Sequence, residues 1–300
     1  MNLAVLNSTA TTVKQLLQNI TSFLIDSNNF ATGNAWQLMS PASITSDTTE
    51  VILKGVGDGK DEIYVGMKVK AQGTDQENIV LNGFAGYDPG LEWYEQPGSI
   101  YKDKLPCVPL AKDVLMTYWL AANTSRFTFR VEMSNQYEGA YLGFMKPIAV
   151  ERQYPYPLVV GGSAVEGMAW TNKGDAHSLF LKPINIDGYS SLCIRRPDGV
   201  WRYGGSTLLT WPIHIAPQDT FTVYRKSGDT SVLEDNMLYP IMLYETDPVG
   251  MLGEFDGVYW VGNRADLAVK NNVVYKDKVY KIFNNVYRRD DDAYHAMEWS

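Results

Sequence analysis

Ser163, Asp175 and His177 bring a nucleophile, an acid and a base into one short stretch, the residue types from which hydrolytic acyl transfer is built. A triad is defined by geometry, however, and Ser163 stands outside a Gly-x-Ser-x-Gly elbow. It reads as a turn residue after Gly161-Gly162. Glu254 and Asp256 lie two positions apart and would share one face of a strand, as a pair of glycosidase carboxylates requires. They flank Phe255 and run into Gly257-Val258-Tyr259-Trp260, which favours turn chemistry or an ion pair with another subunit. Asp290, Asp291 and Asp292 near His295 could gather a metal ion, but a carboxylate run between Arg288-Arg289 and a final strand reads as a solvated turn. His177, His214 and His295 are too widely spaced to form a metal site by spacing. The run GVGDGKD (55–61) lacks the Gly-Lys-Ser/Thr ending of a phosphate loop, and Asp58 and Asp61 lack the further oxygens of a calcium loop. The expectation is therefore no catalytic residue, no metal and no cofactor, and hence no enzyme.

The elements that would hold these residues must come from a chain of 300 residues with 45% hydrophobic content, enough for a substantial core. The net charge is −8 and the basic residues form no run longer than Arg195-Arg196 or Arg288-Arg289, so the electrostatic footprint of a nucleic-acid binder is missing. Neither a long apolar segment nor a charged leader with an apolar core is visible, which predicts no membrane insertion and a cytoplasmic origin. Cys107 and Cys193 are too far apart for a closely spaced zinc pair, and are expected as free, buried thiols.

One amphipathic helix is predicted near the N-terminus, because Val13, Leu16, Leu17, Ile20 and Leu24 recur at helical spacing with Phe23 widening the stripe. Thr12 and Gln15 offer a capping box, and Asp26 to Asn29 with Gly33 supply the stop. Everything else reads as strands. EVILKG and DEIYVGMKVK flank a Gly-rich turn, 116–123 and 126–133 form a second pair, and SLCIRR and VWRYGG flank Pro197-Asp198-Gly199. Phe221 to Arg225 is a further short strand, and the last 65 or so residues carry several more. In the second pair, Phe127, Phe129, Val131 and Met133 take one face, leaving Arg126, Thr128, Arg130 and Glu132 on a face that is solvated or meets an acidic neighbour. Residues 82–109, rich in Gly, Pro and Tyr, read as a long irregular excursion. The fold class is mainly β with one N-terminal helix (α+β), with antiparallel sheets in a sandwich- or barrel-like arrangement and long Gly/Pro/Tyr-rich loops. Three regions are expected: 1–110 with the helix, a hairpin and the long loop; 111–230 as a central β domain; and 231–300 as a C-terminal β region packed with the central one.

Aromatic residues crowd between Tyr118 and Tyr156, and Tyr154-Pro155-Tyr156-Pro157 must be extended, since each proline keeps its predecessor out of the helical region. Rings of this kind supply rigid contact area at low entropic cost. Trp93, Tyr94, Tyr137, Tyr141, Tyr154, Tyr156 and Trp260 are accordingly expected to form an interface with other protein chains.

DEIYVGMKV (61–69), YWLAANTSRF (118–127), YEGAYLGF (137–144), YPYPLVVGGS (154–163), GMLGEFDGVYW (250–260) and FNNVYRRDDDAYHAMEW (283–299) resemble, in order and spacing, a set of tailed-bacteriophage virion structural proteins. The likeness spans most of the chain, and its motifs mark a lineage and carry no chemistry. It implies a non-enzymatic virion component, a repeated tail or baseplate subunit assembled in the bacterial host cytoplasm. Its partners would be other phage structural proteins and copies of itself. Two alternatives are a tail module binding a host surface receptor or carbohydrate, through exposed rings such as Trp93-Tyr94, and a tail-borne cell-wall hydrolase acting through acids near Glu254.

Overall fold

The structure, a computed structural model, describes residues 3–30, 34–57, 63–100, 105–146, 158–174, 177–179, 191–204, 208–211, 238–247, 249–261, 268–286 and 294–300. It is mostly β, with one helix near the N-terminus and three antiparallel sheets. Strand β1 (Ala4–Ala10) leads into helix α1 (Val13–Ile25), and a meander follows: β2 (Gln37–Ser40), β3 (Glu50–Gly55), β4 (Ile63–Ala71), β5 (Gln76–Phe84) and β6 (Pro106–Ala111). A second meander comprises β7 (Met116–Ala122), β8 (Arg126–Met133), β9 (Gln136–Phe144) and β10 (Leu158–Gly162). After it come the short β11 (Ala164–Val165), β12 (Leu192–Arg195) and β13 (Trp201–Tyr203). The remaining strands are β14 (Leu208–Trp211), β15 (Leu238–Thr246), β16 (Val249–Val261), β17 (Asn272–Tyr275), β18 (Lys278–Asn284) and β19 (Tyr294–Glu298).

The helix forms where the apolar spacing places it. Its stripe of Val13, Leu16, Leu17, Ile20 and Leu24 is fully buried against β1, β4 and β5. Thr12 Oγ1 accepts from Gln15 N at 3.1 Å, while the Gln15 side chain reaches Thr11 N at 2.8 Å, one residue earlier than a standard capping box would have it. Thr12→Ala is expected to cost about 1 kcal/mol in a denaturant titration, because the hydroxyl is the partner of an otherwise orphaned first-turn amide.

The strands form a sandwich with a third sheet laid on one side. The front sheet has seven strands in the order β1-β7-β8-β9-β10-β12-β13, and the back sheet six in the order β11-β6-β5-β4-β3-β2. Between them lies one continuous core, in which Phe127, Phe129, Val131 and Leu142 of the front sheet meet residues such as Val65, Leu81 and Val108 of the back. The third sheet, β14-β15-β16-β19-β18-β17, covers the outer face of the front sheet. There Tyr141, Val159 and Ile194 pack with Ile241, Leu243, Phe255 and Trp260, and Trp119 and Tyr137 hold Phe283 at centroid distances of 5.2 and 6.0 Å.

This topology corrects the expected regions. Residues 1–110 are not a separate unit, because β1 pairs with β7 over its whole length, β11 pairs with β6, and both meanders share one core. The 82–109 excursion is strand as far as Phe84, and its ring turns inward: Trp93 Nε1 donates to Val51 O at 3.2 Å, with the indole edge-on to Phe84. Gln96 closes the loop on itself, accepting from Asp88 N at 2.8 Å and donating to Leu91 O at 2.8 Å. The pair β12–β13 and its turn form as expected, and Cys107 and Cys193 are free and buried. Residues 58–62, Tyr154 to Pro157, Asp175, His214, Phe221 to Arg225 and Arg288 to Asp292 lie outside the described residues.

The turn joining β17 to β18 carries Lys276 and Asp277 at φ 50° and 63°, the left-handed geometry that Asn-Gly serves best in a two-residue hairpin. Asp277→Gly is expected to raise stability by about 0.5–1 kcal/mol, seen as a higher denaturation midpoint at unchanged slope.

Candidate functional site

Ser163 sits where the chain leaves the front sheet and enters the back one, between the last residue of β10 and the first of β11. Gly162 permits the crossing, since a Cβ there would lie 2.3 Å from the Cys107 carbonyl oxygen. Glu138 stands on β9 in the register of Ala140, Leu142 and Phe144, which face the sandwich core. The His177 amide donates to Gly174 O at 3.0 Å. The three side chains meet with no exposure to solvent. Ser163 Oγ donates to Glu138 Oε2 at 2.5 Å. His177 Nε2 lies 2.9 Å from Oε1 and 3.0 Å from Oε2, the contact to Oε2 having hydrogen-bond geometry, and Nδ1 is 2.7 Å from Asn172 O.

Two of the three residues nominated from the sequence as a hydrolytic set are thus brought together, but through an acid that the set did not include. The order also differs from a hydrolase. The serine proton is given to the carboxylate, and the imidazole spends one nitrogen on that same carboxylate and the other on a backbone carbonyl. An activated serine needs its proton aimed at a base and its oxygen open to substrate. This arrangement fastens three segments and leaves the hydroxyl sealed.

The second constellation spans the seam between the front and third sheets. Asp256 on β16 accepts from Arg126 Nε at 2.9 Å and Asn123 Nδ2 at 2.8 Å through Oδ2, and from Lys146 Nζ at 2.8 Å through Oδ1. Glu254 lies 3.7 Å from the same ammonium and exchanges two backbone hydrogen bonds with Lys146, each 2.8 Å. Burial by itself would raise the Asp256 carboxyl, but Arg126 and Lys146 outweigh it and hold the group well below the usual carboxylate range. Both oxygens are occupied by cations, so Asp256 is equipped to bind charge and not to shuttle protons. The ion pairs expected between subunits are formed inside one chain. The face bearing Arg126, Thr128 and Arg130 is likewise buried and not solvated, because the third sheet covers it. Arg126 meets the acidic neighbour, whereas Arg130 Nη1 donates to Phe129 O at 3.0 Å, and burial pulls its guanidinium down to about 9.

The expected interface needs a larger correction. Trp93, Tyr137, Tyr141 and Trp260 are core residues of this chain, each less than a tenth exposed. Alternation along a strand separates two faces, and in a sheet covered on both sides each face is interior. Tyr94 alone of the named rings is half-buried, edge-on to Trp93 at 4.8 Å with the Lys68 ammonium 4.9 Å from its centroid; Tyr154 and Tyr156 lie outside the described residues.

Exposed apolar groups occur elsewhere. Val249, 88% exposed, and Met251, 43% exposed, stand at the end of the β15–β16 ribbon. On its β16 side this end has no neighbouring strand among the described residues, since β19 pairs with β16 over Val258–Val261 only, while β14 pairs with β15 over Met242–Glu245. Val274, 71% exposed, lies on β17, an edge of the same sheet. The alternation Val249-Gly250-Met251 after Asp247-Pro248 was the available signal for the ribbon end.

Among the described residues no group of three or more His, Cys, Asp or Glu side chains could hold a metal ion, and no helix is long and apolar enough to cross a membrane. No protein-family model matches the sequence, and no curated protein matches it.

Proposed function

We propose that this chain is a non-enzymatic structural subunit of a tailed-bacteriophage virion, a repeated tail or baseplate component that works through contacts with copies of itself and with other virion proteins. The observation that carries the non-enzymatic part is the sealing of Ser163, Glu138 and His177, the described grouping with the residue types of a serine hydrolase, inside the sandwich. The virion part rests on the resemblance of the six sequence strings, in their order and spacing. With most of the named rings committed to the core, the contact surface passes to the ribbon end at Val249 and Met251 and to the β17 edge. An edge strand and an apolar ribbon end are features by which β proteins add to one another.

The test is twofold. Mass spectrometry of purified particles of the encoding phage is expected to find the chain, and sedimentation of the purified protein is expected to show association that Val249→Asp with Met251→Asp weakens without lowering the melting temperature. A chain absent from particles and monomeric at high concentration would remove the reading. Binding of the isolated chain on a glycan array, or clearing in a cell-wall zymogram, would replace it with the receptor-binding or hydrolase alternative.

A further inference from the structure

The Ser163–Glu138–His177 group is buried and titratable, and its hydrogen bonds determine how many protons it holds. Asn172 O can only accept, so His177 Nδ1 carries a hydrogen. Glu138 Oε2 receives the Ser163 hydroxyl, and a bare Nε2 lone pair facing a desolvated carboxylate at 2.9–3.0 Å would be repulsive. A second hydrogen must therefore lie between Nε2 and the carboxylate, and because the Ser163 hydroxyl donated to Oε2 and the Asn172 carbonyl facing Nδ1 both favour the charged forms, we assign the pair as an imidazolium facing a carboxylate.

We propose that this trio is a proton-holding latch that fastens residues 164–174 and 177–179 to β9 of the front sheet and loosens as the medium becomes alkaline. The described residues of this stretch have other ties as well: Ala164 and Val165 pair with Cys107 and Pro106 of β6, Glu166 N donates to Leu105 O at 2.8 Å, Trp170 O accepts from Gln136 Nε2 at 2.8 Å, and Leu179 N donates to Asn285 Oδ1 at 2.8 Å; the latch adds the buried side-chain link to β9. The other ionisable groups facing the latch do not take over its proton. Cys107 on β6 is pushed well up by burial, and further by Glu166 and Glu138, so it remains a thiol. Glu166, beyond β11, is matched by Lys70 of β4. Arg130 of β8 points to the opposite face of the front sheet, toward Thr128 and Phe129 O.

The sign follows from counting protons. Above about pH 6.5 an unfolded histidine is neutral and an unfolded glutamate is ionised, so the unfolded chain holds one proton fewer than the latched one. Stability then falls with rising pH, by up to about tenfold in the folding constant per pH unit, until the latched proton is itself lost.

The experiment is urea unfolding of the full chain from about pH 6 to about pH 9, for wild type, His177→Gln and Glu138→Gln. The folding constant of wild type is expected to fall more steeply than that of either variant, by up to about tenfold per pH unit. Equal slopes would overturn the proposal. Should both variants fail to fold, ¹⁵N NMR of the wild-type imidazole decides: both His177 nitrogens protonated at about pH 7.5 is the expected result, and a bare Nε2 there refutes the latch.

Discussion

Asp256→Ala is expected to destabilise the fold by about 3–5 kcal/mol, the range for breaking a buried ion pair on one side only. Arg126 is 1% exposed, and without Asp256 its guanidinium keeps, among the described residues, the bond to Ala121 O at 3.1 Å. Asn123 Nδ2 and Lys146 Nζ lose the same acceptor. The measurement is the urea midpoint at constant slope, and a loss below about 1 kcal/mol would show that the seam relaxes around the missing carboxylate. The pair also has a pH signature. The folded Asp256 carboxyl titrates below its ordinary 3.8, so its contribution is complete above that value and disappears as the medium is acidified through and below it. In Asp256→Asn the acid-side dependence should flatten. Exchanging Arg126 and Asp256 together for apolar residues of similar volume should recover much of the loss, since the desolvation of two charges is then avoided.

Gly143→Ala is expected to be comparably severe, about 3–5 kcal/mol, because two costs of roughly 1–3 kcal/mol coincide. Gly143 has φ +125°, outside the conformations that side-chain-bearing residues adopt readily. A Cβ there would also lie 2.4 Å from Ser125 O and 2.5 Å from Arg126 Cα. Those are backbone atoms of the turn into β8, held by the Phe144 N to Ser125 O bond at 2.9 Å, and they cannot step aside as a side chain could. Gly73→Ala supplies the comparison. It has φ +77° but nothing within 4 Å of its added carbon, so only the conformational cost of about 1 kcal/mol applies. A similar loss for the two variants would mean that the close approach at Gly143 carries no weight.

The elements that depend on neighbours in sequence were readable from it. The α1 stripe, its Thr12 cap and the β3–β4, β7–β8 and β12–β13 pairs are set by period and turn chemistry. The joining of β1 to β7 and of β6 to β11 was not, because nothing local encodes which distant strand completes an edge. The same gap explains the rings. Alternation in YEGAYLGF separates Tyr137 and Tyr141 from Glu138 and Leu142 correctly, but only the third sheet decides that the tyrosine face is interior. Ser163 and His177 were singled out, with Asp175 as the acid on grounds of proximity. Glu138 had the better claim: a lone carboxylate in core register with Ala140, Leu142 and Phe144 needs a buried partner.

The pairing of β1 with β7 also bears on synthesis. The first strand leaves the ribosome long before residues 116–122, so its hydrogen-bonding edge stays open while the whole back-sheet meander is made. The back sheet itself waits for Ala164-Val165 to finish its β6 edge. Nascent chains halted before that point would present two unfinished edges at once, and on crowded polysomes these are the species prone to cross-chain pairing.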